Sequence, residues 1–238
     1  MTNVATWFCF SGDAECLTES VAAYRLVDPS AAIALSDDGR SPLDAATVRS
    51  IDPDHYERSD VNRGGNLRGA ECTTMILDFS ERMAAKYQAD MVVKLDCDTA
   101  VFSNEWLVKA PLVGFEYLPL PSALGCCRAM SPEALSAAMD RHLSRWHGLT
   151  NKTYEDQVIA YYALRDFGPE CVIYPFVPRR LVGWDYRTEV GEKPPFVWTA
   201  EVVTFGNRMQ LSERGGQRGK RLAASDAMKK YREERNNR

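Results

Sequence analysis

The stretch MVVKLDCDTAVFSNEWL, Met91 to Leu107, runs an apolar segment into two aspartates, Asp96 and Asp98, separated by one cysteine. Met91–Leu95 reads as a buried strand, because strands covered on both faces are nearly continuous runs of β-formers. Two like charges at its end repel unless something positive lies between them. Residues i and i+2 of an extended chain point to the same side. Asp96 and Asp98 can therefore converge if the chain remains extended there, with Cys97 facing away. A hard divalent cation binds such oxygen ligands and can bridge diphosphate oxygens. The competing reading is an acidic turn that closes the strand and is neutralised by Lys94.

Working outward, the order of elements suggests a fold class. VATWFCF (Val4–Phe10) reads as a first strand and DAECLTESVAAYRLVD as a helix, with Leu17, Val21 and Tyr24 at helical spacing. AAIAL is a second strand, closed by the turn residues SDDGRSP. LDAATVRSI reads as a short helix, HYERSDV as a third strand, NRGGNLRG as a loop and AECTTMILDFSERMAAKY as a long helix. The strand with the paired aspartates follows. Strands alternating with helices predict an α/β domain with a mainly parallel central sheet flanked by helices. Ligands of such sheets sit at the carboxyl ends of the strands, where this pair lies.

Composition bounds the rest. The chain has 238 residues, 45% hydrophobic and 26% charged, enough for one substantial core. Its apolar stretches fall far short of the roughly 20 residues that span a bilayer. MTNVATWFCFSGD lacks the basic start and longer apolar run of a signal peptide. The seven cysteines contain no C-x-x-C pair. Together these lead us to expect a soluble protein of a reducing, cytoplasmic compartment. Net charge is −4, but residues 207–238 hold ten Lys/Arg against four Asp/Glu, leaving −10 on residues 1–206. The sequence thus divides into a domain over 1–206 and a basic tail over 207–238 with a short amphipathic helix. In that helix Leu222, Ala223, Ala227, Met228 and Tyr231 share one side, with Lys220, Lys229, Lys230 and Arg232 around them. One reading is a frayed surface helix. The other is a peripheral contact with anionic lipid, at the inner face of a membrane, or with an acidic partner, driven mainly by charge.

KLDCDTAVFSN resembles the K-x-D-x-D-x-x-x-F-x-N region of inverting glycosyltransferases with the GT-A fold, nearest to the β-1,3-galactosyl- and β-1,3-N-acetylglucosaminyltransferase group. Two further segments follow in that group's order. LPLPSALGCCRAMSPEALSAAM looks like its Pro-rich loop, strand and Ser-initiated helix, and YEDQVIAYYALRDFG like its Glu-Asp motif opening a helix. FSGDAECLTESVAAYRLVDPSAAIALSDDG is similar to the nucleotide-binding start of many GT-A enzymes. The resemblance covers residues 4–170 in outline.

It implies a nucleotide-sugar donor, a UDP-sugar, a saccharide or other hydroxyl acceptor, and Mn²⁺ or Mg²⁺, with no nucleic acid among the partners. Asp98 would be the main metal ligand, and Asp96 would bind ribose or the metal through water. Asp156 would be the base that deprotonates the acceptor, with Glu155 as fallback. Asp38 would contact the nucleobase, and Arg63 and Arg68 could meet phosphate. Other readings stay open. Asp37 and Asp38 could simply make a turn, and Thr153 with Asp156 could cap a helix. Arg63 and Arg68 could be solvated loop charges. Trp184 and Trp198 could stack on a sugar or pack in the core. Many GT-A enzymes add a late histidine ligand. This chain has only His55, His142 and His147, with Thr204 and Asn207 near the corresponding place.

Rival classes fit less well. A haloacid-dehalogenase-type phosphatase would want Thr or Val where Ala100 stands, and its motif on the first strand. SGDAEC is not the Gly-rich basic loop of a nucleotidyltransferase, and no Walker loop is present. A degenerate nucleotide- or sugar-binding module of the same fold remains the alternative to an enzyme.

Overall fold

The computed structural model describes residues 1–61, 69–115, 127–145, 155–174, 181–183, 201–205 and 216–237. Ten strands and six helices alternate along these segments: β1 (Asn3–Cys9), α1 (Ala14–Val27), β2 (Ala32–Asp38), α2 (Ala45–Ile51), β3 (His55–Ser59), α3 (Gly69–Tyr87), β4 (Met91–Leu95), β5 (Thr99–Val101), β6 (Leu112–Phe115), β7 (Cys127–Met130), α4 (Pro132–Arg145), α5 (Glu155–Phe167), β8 (Val172–Tyr174), β9 (Leu181–Gly183), β10 (Val202–Thr204) and α6 (Gly216–Asn236). Seven strands form the main sheet in the order β3-β2-β1-β4-β7-β6-β8. Four of its six pairings are parallel; β7 runs antiparallel to both β4 and β6. This is the mainly parallel α/β architecture expected from the sequence.

The strand period of two distributes side chains between two cores. Ala5, Trp7 and Cys9 of β1 face the layer of α1, α2 and α6, while Val4 and Phe8 face the layer of α3, α4 and α5. Met91, Val93 and Leu95 of β4 join the first core and Val92 the second. By the same alternation Lys94 and Arg128 point toward the second layer. Their register makes them direct neighbours, since Lys94 pairs with Arg128 across β4 and β7.

Local chemistry sets the element ends. Asp44 caps α2 by accepting from the Thr47 N–H at 2.8 Å, so the helix begins at Ala45 and not at Leu43. Asp52 ends it in the left-handed region, at φ 50°. Ser131 starts α4, its hydroxyl accepting from the Ala134 N–H at 3.2 Å.

The paired aspartates do not lie on an extended chain. After Leu95 the backbone turns, and the Thr99 N–H donates to the Asp96 carbonyl at 3.0 Å. Residues 96–99 therefore form a β-turn with Cys97 and Asp98 at its centre. The strand that resumes, β5, belongs to a second, three-stranded sheet of order β5-β10-β9. The acidic pair thus occupies the corner between two sheets.

The tail helix is present and spans Gly216–Asn236. Its Ala227, Met228 and Tyr231 are buried in the first core, and Arg232 pairs with Glu19 of α1 at 2.8 Å. The frayed-helix reading is thereby corrected: α6 is packed on the domain because its apolar side meets α1 and the small sheet. The join at residue 206 lies outside the described residues. Among the described residues no helix is long and apolar enough to cross a membrane. Among the described residues Cys9, Cys16, Cys72, Cys97 and Cys127 are buried and Cys171 is half-buried.

Candidate functional site

Three carboxyl-terminal strand ends lie side by side. β1 pairs with β2, where Cys9 meets Asp37, and with β4, where Trp7 meets Leu95. Asp38 ends β2 and Asp96 directly follows β4, so both occupy the edge where α/β sheets bind ligands.

On the β2 side, Asp37 organises the turn. Its carboxylate accepts from the Asp38 N–H at 2.9 Å, the Leu43 N–H at 2.8 Å and the Tyr56 hydroxyl at 2.7 Å. Burial raises its pKa, and these three donors oppose the rise. Asp38 is also buried and accepts from the Arg40 N–H at 2.9 Å. The turn reading of this pair is therefore correct in geometry, and it does not conflict with a nucleobase role for Asp38.

On the β4 side, charge is concentrated under cover. Lys94 donates to Asp96 Oδ1 at 2.6 Å; the lysine side chain is 5% exposed and the aspartate 35%. Glu155, the first residue of α5, lies 3.7 Å from the Lys94 ammonium and 3.8 Å from Arg128 Nη1. Burial works against the Lys94 charge, but Asp96 and Glu155 outweigh it and its pKa is raised. Burial likewise raises the Glu155 pKa, Lys94 and Arg128 pulling it back and Asp156 and Asp96 adding to it. Arg128 Nη1 is buried with no hydrogen-bond acceptor among the described residues, and its pairing with Glu155 at 3.8 Å is electrostatic. The outcome is a chain of alternating charge, Asp96–Lys94–Glu155–Arg128, running from the acidic turn to the start of α5.

Asp156 follows Glu155, is partly exposed, and accepts from the Gln157 N–H at 2.9 Å. Both acidic residues sit in the first turn of α5, where the helix dipole favours negative charge. Thr153, the suggested cap, lies outside the described residues, as do Arg63, Arg68, Trp184, Trp198, His147 and Asn207. His55 is on β3, bound to Glu57 at 3.1 Å, away from the acidic turn. His142 is buried between helices. Its Nε2 lies 3.1 Å from the Ala70 carbonyl and therefore donates, while Nδ1, 3.4 Å from the Tyr162 hydroxyl, accepts. Burial lowers its pKa. Neither imidazole is a late metal ligand.

Arg128 is the site residue that sequence reading passed over. Its signal was an arginine inside the apolar run CCRAM. A charge in the middle of a covered strand requires a buried partner.

Among the described residues no group of three or more His, Cys, Asp or Glu could hold a metal ion. Asp96 and Asp98 supply hard oxygen donors only. That suits Mg²⁺ or Mn²⁺ bound through one or two carboxylates, with water and substrate phosphate completing the shell. The donor set thus fits the expected metal in chemistry.

No family model and no curated protein matches the chain. Solved structures do. A galactosyltransferase, LgtC, in complex with donor and acceptor sugar analogues, superposes with a TM-score of 0.56 at 10% identity, over 100% of this chain and 96% of that one. An active-site glutamine variant of LgtC gives 0.54 at 10% identity, over 98% and 96%. A glycosyltransferase involved in glycosylation of the major capsid of PBCV-1 gives 0.59 at 13% identity, over 96% and 100%. At such identities the likeness is one of architecture: the chain has the GT-A fold of these glycosyltransferases.

Proposed function

We propose that this chain is a glycosyltransferase. It would move a sugar from a nucleotide-sugar donor, a UDP-sugar, to a saccharide or other hydroxyl acceptor. The observation that carries the reading is the placement of Asp38 and Asp96 at the carboxyl edge of a GT-A-like sheet, with Asp98 in the turn that follows Asp96 and with the buried pairs of Lys94 joining that turn to Glu155 at the start of α5, next to Asp156. The transfer is proposed to be of a hexose with inversion, as in the β-1,3 group that the sequence resembles.

Asp98, with Asp96, would hold Mn²⁺ or Mg²⁺, which when bound supplies Lewis-acid stabilisation of a departing diphosphate. Lys94 holds Asp96 by one oxygen, and Asp96 would bind the ribose, or the metal through water. Asp156, more accessible than its neighbour, takes the acceptor proton. Glu155 is buried between two cations and anchors the helix that presents Asp156. Asp38 faces the nucleobase, in a turn that Asp37 and Tyr56 hold. A donor screen by thermal shift, with and without Mn²⁺, followed by turnover of the stabilising donor, tests the reading. Absence of stabilisation by every nucleotide diphosphate and nucleotide-sugar would end it.

A second reading is a binding module that does not turn over its ligand. It is favoured by the neutralisation of Asp96 by Lys94 and by the two-carboxylate donor set. Donor binding without transfer would select it. A cytoplasmic location and contact of the tail with a membrane or acidic partner belong to the same proposal. With Ala227, Met228 and Tyr231 buried, such a contact would rest on charge.

A further inference from the structure

The acidic turn is held from a direction that the nucleotide-sugar chemistry does not require. The Asp98 carbonyl accepts from the Phe205 N–H at 2.8 Å. Phe205 directly follows β10, a strand of three residues that pairs with β5, itself of three residues. Ladders this short do not sustain themselves. The Phe205 ring adds a further hold: it is buried and meets Tyr231 of α6 edge to face at 5.7 Å. Tyr231 also meets Phe102, which follows β5, at 5.2 Å. Because β5 and β10 are antiparallel, Phe102 and Phe205 follow opposite ends of the pair, and one tyrosine ring packs against both. Arg235, one turn further along α6, closes the cluster. Its guanidinium lies 4.6 Å from the Phe102 ring centre, and Nη1 donates to the Tyr231 hydroxyl at 3.2 Å. On the same face the Ser20 hydroxyl of α1 donates to the Thr99 carbonyl at 2.5 Å.

We propose that Tyr231, acting through Phe205, is a positioning residue for the Asp96–Asp98 turn, and that α6 is a strap that sets the turn's shape. Removing the ring deprives both phenylalanines of their shared partner. Phe205 can then move, and its N–H releases the Asp98 carbonyl. The turn loses the bond that fixes its central residue, although Asp98 itself is untouched. The ligand half of this statement rests on the proposed function; the coupling of α6 to the turn does not.

Hydrogen exchange on the full chain tests the coupling without any ligand. In Tyr231→Ala the Phe205 and Thr99 amides should exchange at least tenfold faster, beyond any change in the β1 amides. Tyr231→Phe, which keeps the ring, should stay near wild type. Leu77→Ala, a core loss on the other face, should leave the ratio of turn to β1 exchange unchanged. If Tyr231→Ala fails to fold, Phe205→Leu keeps an apolar side chain and should still accelerate the Thr99 amide severalfold. Equal acceleration of turn and β1 amides, or wild-type exchange at Thr99 in folded Phe205→Leu, overturns the strap. In parallel, Mn²⁺-dependent UDP affinity should fall at least tenfold in Tyr231→Ala and remain within twofold in Leu77→Ala. A wild type that binds no UDP with Mn²⁺ overturns the ligand half of the proposal and counts against the nucleotide-sugar reading, while the exchange result still decides the coupling.

Discussion

On the face covered by α1, α2 and α6, the turn at residues 96–99 is approached by aromatic rings and hydroxyls: Phe205, Tyr231 and Ser20. On the face covered by α3, α4 and α5, it is approached by buried ions: Lys94, Glu155 and Arg128. Both faces hold the same few residues, by different physics. Ring packing is short-ranged and tolerant of modest changes in shape, and its loss is a cavity. A buried charge acts over several ångströms, and losing one member leaves the others uncompensated. Position is therefore governed from one side and electrostatics from the other. Variants on the two faces should fail in different ways.

The largest expected difference lies in turnover. Asp156→Asn should leave donor binding close to wild type and cut transfer by ~10²–10⁴-fold, the usual cost of a lost general base. Single-turnover rates alongside donor titrations would show it. Transfer within a few-fold of wild type would return Asp156 to a helix-terminal role.

Next comes Glu155→Gln, which leaves Lys94 and Arg128 adjacent and buried without their shared anion. The cost should be about 3 kcal/mol in unfolding free energy, near the lower end for a broken buried pair because the distances are long. Urea denaturation measures it. A change under about 0.5 kcal/mol, the ordinary range for surface sites, would mean that water reaches this cluster.

His142 offers a pH-dependent contrast on the charged face. Burial lowers its folded pKa below the ordinary 6.5. Its contribution to stability is therefore complete above that value and is lost as pH falls from it through the folded value. The wild type should lose stability more steeply than His142→Gln on acidification from pH 7 to 5. Parallel slopes would show that the imidazole is not kept neutral by the fold.

The smallest effect belongs to the aromatic face. Arg235→Ala removes a guanidinium stacked on Phe102, worth about 0.5–1 kcal/mol at a partly exposed site. A small drop in thermal midpoint with unchanged Mn²⁺-dependent UDP affinity is expected. A tenfold loss of that affinity would mean that the guanidinium, more than the Tyr231 ring, carries the strap.

Legibility in the sequence followed range. β1, α1, β2, α3 and β4 could be read because each states its own pattern over a local window: an unbroken apolar run of β-formers for the buried strands, Leu17–Val21–Tyr24 for a helix. The carboxyl-edge placement of Asp38 and Asp96 followed from that order alone. What could not be read was long-range. Nothing near Thr99–Val101 announces that its partner is Val202–Thr204, and three-residue strands have too little pattern to register. The antiparallel course of β7 left no local sign, so the pairing of Lys94 with Arg128 was invisible. The sequence leaves open whether Cys97–Asp98 is extended chain or an acidic turn, for a related reason. A strand's apolar run shows where it starts to be buried better than where the backbone leaves the sheet. The stripe on α6 was seen, but a stripe does not say whether protein or lipid covers it.

The pairing of β5 with β10 also has a consequence in time. Val101 finds its partner Val202 about a hundred residues later in the chain. Chain synthesis proceeds at about 5–20 residues per second, so the interval between the two strands is on the order of 5–20 s. The parallel strands β1, β2 and β4 are complete well before then, whereas the corner bearing Asp98 waits for Phe205 and α6. A growing chain would therefore own its main sheet before it owns a finished acidic turn. Pairings of such high sequence separation are slow in refolding as well. Pulse-labelling exchange during refolding should find β1 amides protected before those of Thr99 and Phe205; simultaneous protection would show that the two sheets close in a single step.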